Sequence, residues 1–119
     1  GSFNSPSISI GATILTCAGG LDMYIVKYDA MGNVMWAKSA GGTGSDLVRG
    51  ISNDEIGNIY VTGGFDSDSI TFGTTTLINE GGYDMYMVKY DTSGNVIWAK
   101  GAGSMSSDYG NNITTDVAG

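Results

Sequence analysis

The sequence predicts an all-β repeat protein, on three observations. The stretch DMYIVKYDAMGNVMWAKSAG, Asp22 to Gly41, returns as DMYMVKYDTSGNVIWAKGAG, Asp84 to Gly103, a shift of 62 residues. Within each copy, side chains alternate with period two among β-branched and aromatic residues, the pattern of strands. No stretch has a convincing 3.6-residue periodicity, and 20 glycines among 119 residues favour many tight turns. Essentially no helix is expected.

Each copy reads as an antiparallel hairpin. In DMYIVKYD, Met23, Ile25 and Lys27 point one way and Tyr24, Val26 and Tyr28 the other; in NVMWAKSA, Val34, Trp36 and Lys38 alternate with Met35, Ala37 and Ser39. Asp29 to Asn33 lies between. Asp suits the start of a type I turn, because its carboxylate accepts nearby backbone N–H groups. Gly32 suits the left-handed position that closes a bulged hairpin. The 62-residue shift holds without a gap, so that residues 1–57 overlie 63–119 with about half the paired positions identical. Phe3 meets Phe65, Trp36 meets Trp98 and Asp46 meets Asp108. So long a fixed period signals units that bury their faces against their neighbours.

Taken in order, Gly1-Ser2-Phe3 overlies Gly63-Gly64-Phe65. Residues 7–17 overlie 69–79 as two short strands around Gly11 and Gly73, a small hairpin or edge decoration. Loops at 19–22 and 41–46 flank the first long hairpin. LVRGISND and NIYVTGGF then form a second hairpin about Asp54 to Asn58, with Asp54 and Gly57 in the turn roles of Asp29 and Gly32. Asp91 and Gly94 repeat those roles in the second copy. Gly50, matched by Asn112, predicts close backbone approach at the centre of its strand. One repeat thus carries two hairpins, four main strands and the decoration. The expected organisation is the outer part of one four-stranded unit (1–45), a complete unit (46–103) and the inner strand of the next (104–119). The equivalent of Asn58 to Thr62 is missing between the ends, which predicts an unpaired ladder open to another strand.

Composition narrows the function. The formal charge is −7, from 12 acidic and 5 basic residues, which argues against a nucleic-acid partner. No apolar run reaches membrane-spanning length. No signal peptide is visible, so the sequence reads as a mature chain or a fragment. Cys17 is alone, which leaves no intrachain disulfide and no cysteine metal cluster, and it reads as a packing residue. Without histidine there is no Ser-His-Asp or Cys-His constellation. No phosphate-binding Gly-Lys-Ser/Thr element exists either.

The pattern G-G-x-D-x-Y-x-V-K-Y-D-x-x-G-N-V-x-W-A-K, followed by G-x-x-S-D, an Asp-x-x-Gly-Asn turn and I-Y-V-T-G, resembles the seven-bladed β-propeller repeat family (SBBP repeats) over nearly the whole chain. The resemblance implies four-stranded propeller blades in bacterial secreted or surface proteins. LVRGISND would be the inner strand, NIYVTGGF the second, DMYIVKYD the third and NVMWAKSA the outermost. A closed ring takes roughly four to eight blades, so an incomplete or oligomer-completed propeller is expected.

The candidate sites follow. Asp29, Asp54, Asp91 and Asp116 read as turn caps in preference to calcium ligands. Asp22, Asp46, Asp84 and Asp108 open strands after glycine loops and read as locks on those loops through backbone hydrogen bonds. Asp66 and Asp68, with Asp54 and Glu55 as neighbours, are weak calcium candidates, since calcium takes six or more oxygens. Trp36 and Trp98, with Tyr24 and Tyr86, read as packing between blades. The alternative for the tryptophans, a quinoprotein-type enzyme, lacks its basic groups and vicinal cysteines. Tyr24, Tyr28, Tyr86 and Tyr90 offer a sugar-binding alternative. Lys27 and Lys89 are expected to pair with carboxylates. The expected function is a non-catalytic structural or interaction module with no cofactor. The alternatives are self-assembly into a ring or filament through strand pairing between chains, and a sugar- or calcium-binding propeller.

Overall fold

A computed structural model describes residues 1–105, 108 and 110–116. Eleven strands follow one another, with no helix among these residues: β1 (Ser2–Phe3), β2 (Ser7–Ile10), β3 (Thr13–Thr16), β4 (Asp22–Tyr28), β5 (Val34–Ala40), β6 (Asp46–Asn53), β7 (Ile59–Phe65), β8 (Ser69–Phe72), β9 (Thr75–Ile78), β10 (Asp84–Tyr90) and β11 (Val96–Ala102). β6, β7, β10 and β11 form one antiparallel four-stranded sheet, in the order β11-β10-β7-β6. β1, β4 and β5 form a three-stranded sheet in the order β1-β4-β5. Residues 2–3 pair with Asp22 and Met23, just as Gly64 and Phe65 pair with Met85 and Asp84.

The long hairpins follow from alternation plus turn chemistry. Lys27 opposes Trp36, and Lys89 opposes Trp98. In both hairpins the register slips at the following residue, Tyr28 or Tyr90, which is the expected bulge. Gly32, Gly57 and Gly94 all have positive φ, at 85°, 97° and 85°, a conformation in which a side chain is strained. The decorations are two-stranded hairpins, β2 with β3 and β8 with β9.

The main core lies between the two large sheets. Met23 and Ile25 from β4 meet Val61 and Phe65 from β7 and Tyr86, Val88 and Tyr90 from β10, while Ile70 and Phe72 of the β8–β9 hairpin close the rim. Tyr86 is fully buried, and its ring lies 5.0 Å from that of Phe72. A smaller cluster, Phe3, Leu15 and Ala37, fills the other side of the three-stranded sheet, and Cys17 packs against it.

Residues 110–116 carry no strand, although an inner strand is expected within 104–119. The described residues there lie along β6 without a ladder. Thr115 Oγ1 donates to Asn53 O at 2.7 Å, and Gly110 N to Gly63 O at 3.3 Å. Among the described residues no strand pairs with this segment, and β7 pairs with β6. A side chain begun at Gly50 would meet Asn112 Cα at 2.8 Å. The expected close approach therefore occurs, and against the residue one repeat further on.

Candidate interaction surface

The turn aspartates act on backbone. Asp29 Oδ1 accepts from Met31 N and Asn33 N, both at 2.9 Å, and Oδ2 from Asn33 Nδ2 at 3.1 Å. Asp91 repeats this with Ser93 N, Asn95 N and Asn95 Nδ2. Donors from Asn33 and Asn95, backbone foremost, hold both carboxyls below the ordinary value. Asp54 is more heavily engaged. It accepts from Ile56 N, Gly57 N and Asn58 N, and through Oδ2 from Asn58 Nδ2 and Tyr60 Oη. Desolvation pushes its pKa up, but the donors of Asn58, Tyr60 and Gly57 together outweigh it, and the net shift is downward. The turn expected at Asp116 runs into residues 117–119, outside the described residues.

The loop aspartates sit at the opposite ends of the strands and share one geometry. Each Oδ2 accepts from the N–H four residues earlier: Ala18 for Asp22, Gly42 for Asp46, Glu80 for Asp84 and Ser104 for Asp108. The loops they brace are stitched together, with Asp46 N donating to Leu21 O at 2.5 Å and Gly20 N to Gly44 O at 2.8 Å. Asp108 N donates to Tyr83 O in the same way. Ser67, buried and not singled out from sequence, adds a hydroxyl donated to Asp46 Oδ2 at 2.7 Å.

Asp22, Asp46 and Asp84 are buried, and Oδ1 of each has no hydrogen-bond partner. A Cβ added at Gly41 would collide with the Asp22 carboxylate, and one at Gly103 with that of Asp84, so each carboxylate lies where only glycine leaves it space. Desolvation raises the Asp46 pKa against the pull of Ser67 and Gly42, and the charge of Asp22 adds to the rise.

The weak calcium candidates are not assembled into a cluster. Asp66 and Asp68 are exposed. The Asp66 carboxylate accepts from Ser45 N, and Asp66 N donates to Ser45 O at 3.0 Å, so this side chain clips two loops together. Asp54 and Glu55, expected as neighbours, precede β7 while Asp66 follows it. A seven-residue strand of roughly 23 Å lies between them. Among the described residues, no three acidic, histidine or cysteine side chains come together as a metal site.

Trp36 bridges the two large sheets. Its indole Nε1 donates to Thr92 O at 3.1 Å, in the β10–β11 turn, and its ring lies 6.2 Å from that of Tyr90. Gly94 makes room for it, since a Cβ there would stand 2.8 Å from the indole. Lys27 Nζ donates to the same Thr92 carbonyl at 3.2 Å. Lys89 Nζ sits over the Tyr60 ring at 5.0 Å. The lysines therefore do not take the carboxylate partners expected of them. Lys27 instead reaches a turn carbonyl of the neighbouring sheet, and Lys89 a ring on the adjacent strand of its own sheet. The tyrosines divide as well. Tyr86 and Tyr90 are buried, Tyr24 is partly covered by Phe3 at 6.1 Å between rings, and Tyr28 is exposed.

Antiparallel meanders stacked face to face, repeating every 62 residues and left open, define a β-propeller-type repeat. No family model matches the chain, so the finer resemblance to the seven-bladed repeats is not carried further by that comparison. Over 104 residues, 82% of its length, the chain is 40% identical to an uncharacterised WD repeat-containing protein of Acanthamoeba polyphaga mimivirus. The match spans 8% of that protein. The chain has neither histidine nor a Trp-Asp dipeptide, and its period is longer than the ~40–45 residues of a WD40 unit. The likeness therefore runs through the repeat as a whole and not through that signature.

Proposed function

We propose that this chain is a non-catalytic interaction module, a stack of propeller blades that meets a protein partner through an exposed blade edge or face. The observation that carries the reading is how the repeated polar residues are spent. The turn and loop aspartates hold backbone, and the lysine and tryptophan pair of the first repeat holds the neighbouring blade. Large apolar side chains such as Met31, Ile51, Ile56 and Ile97 stand exposed around this frame, and such groups serve contact more readily than chemistry. The name of the mimivirus relative agrees with a repeat module of this kind. A secreted or surface location rests on the sequence resemblance alone, and that relative is viral.

Photocrosslinking tests the reading. A benzophenone side chain would replace Met31, Ile51 or Ile97 in turn, each on a different exposed surface, in an extract of the source. The reading expects one position to yield a discrete adduct with a second kind of protein, competed away by the unlabelled chain. No competed adduct at any of the three positions would overturn it.

A further inference from the structure

Trp36, Lys38 and Ala40 share one face of β5, opposite Lys27, Ile25 and Met23 of β4, and that face meets the second large sheet. Trp36 closes its end of the gap against Tyr90 and Gly94. Two residues on, the gap opens into a groove of about 330 Å³. Lys38 stands on one wall, Thr71 and Asn95 on the other, and the buried rings of Phe72 and Tyr90 line its floor. Both walls come from the interior of the chain, residues 38–40 and 71–96.

Two observations say what this groove would take. The first is charge. The chain carries 12 acidic residues, yet none of them lines the groove. Lys38 is exposed and, among the described residues, has no hydrogen-bond or ion-pair partner. The second is backbone. β5 ends its sheet, so its outer edge has no ladder partner among the described residues. The β2–β3 hairpin packs against β5, with Leu15 and Ala37 in one cluster, but its ladder is internal. An open edge of seven residues is a template for another strand, and a lysine on it discourages a basic one.

We propose that the outer edge of β5 takes up an acidic, extended peptide segment of a partner protein as an added strand. Side chains alternate across a sheet, so every second residue of the segment would hang over the groove beside Trp36, Lys38 and Ala40. A carboxylate on that face stands next to Lys38 as a cross-strand pair. An apolar side chain two residues away covers Phe72 and Tyr90. Main-chain hydrogen bonds to β5 supply affinity, and the groove supplies selectivity. The same lysine turns away basic strands, so the edge discriminates by repulsion as well as by pairing.

This inference rests on the interaction-module reading, and its test is separate from the crosslinking above. The isotope-labelled chain is titrated with the capped peptide Thr-Glu-Thr-Val-Thr-Glu-Thr and followed by amide NMR and hydrogen exchange. Saturable shifts are expected on β5 and on the groove residues of 71–74 and 94–96, with slowed exchange of β5 amides. The peptide with both Glu replaced by Lys is expected to give neither. Lys38→Glu is expected to weaken the acidic peptide about tenfold and to bind the basic one. Thr71→Tyr, at an exposed strand position, fills the groove and is expected to weaken the acidic peptide with Lys38 in place. Unchanged amide spectra away from each substitution show that the variants are folded. No saturable shift on β5, shifts spread evenly over all the lysines, or a Lys38→Glu chain that still prefers the acidic peptide overturns the proposal. Any of these leaves the crosslinking result to judge the module reading.

Discussion

At the scale of single residues, aspartate does two kinds of work, set by where it falls on the strand. At the Asp-x-x-Gly-Asn turns it is a backbone acceptor with a lowered pKa. Such a carboxylate stabilises the fold above its unfolded pKa, about 3.9, and that contribution is lost as pH falls through the lower folded value. Asp46, raised by burial, has the opposite sign: its favourable contribution is present below the unfolded pKa and fades as pH rises through the folded one. The three turn carboxylates outnumber it, so urea midpoints should fall as pH drops below about 4. Asp54→Ala should lower the midpoint at pH 7 more than Asp29→Ala, because Tyr60 Oη and an extra backbone N–H turn to Asp54. Both deficits should shrink at pH 3, below the unfolded carboxyl pKa, where part of the stability these carboxylates supply is already lost. The caps were legible because the Asp-to-Asn spacing is local. The Ser67 hydroxyl on Asp46 bridges 21 residues of sequence, a distance over which no local pattern speaks.

At the scale of elements, alternation and turn chemistry placed both long hairpins and the decorations. The sheet face of each residue could be read, but not what covers that face. Lys27 shows the difference: its side of β4 was evident from alternation, while its acceptor is a carbonyl in a turn 65 residues away. The segment at 110–116 fails differently. It occupies the repeat position of β6, but a strand needs a ladder partner, and none lies beside it among the described residues. The paired turns give a controlled test of sheet-on-turn packing. Gly32→Ala and Gly94→Ala impose the same left-handed strain, about 1–2 kcal/mol. Only the second drives a methyl into the Trp36 indole, which adds about 1–3 kcal/mol of overpacking. Urea unfolding should separate the two by that increment, and a Trp36→Ala background should bring them together.

At the scale of the whole molecule, the fold is a stack: one blade face laid on the next through a tryptophan, a lysine and a turn carbonyl. Sequence periodicity implies that stacking, because a 62-residue repeat with apolar faces has nowhere else to bury them. The central claim is that Trp36 joins two sheets through Thr92 O, while Trp98, in the same sequence surroundings, packs within its own sheet against Tyr60 at 6.2 Å. The direct measurement is urea unfolding of Trp36→Ala and Trp98→Ala in chain dilute enough to be monomeric. Trp36→Ala should cost on the order of 3 kcal/mol, as expected for emptying a packed aromatic site. Trp98→Ala should cost less, about 1–2 kcal/mol, since it loses only a half-buried edge contact with Tyr60 and no bond to a second sheet. Equal losses for the two tryptophans would contradict the stacked arrangement.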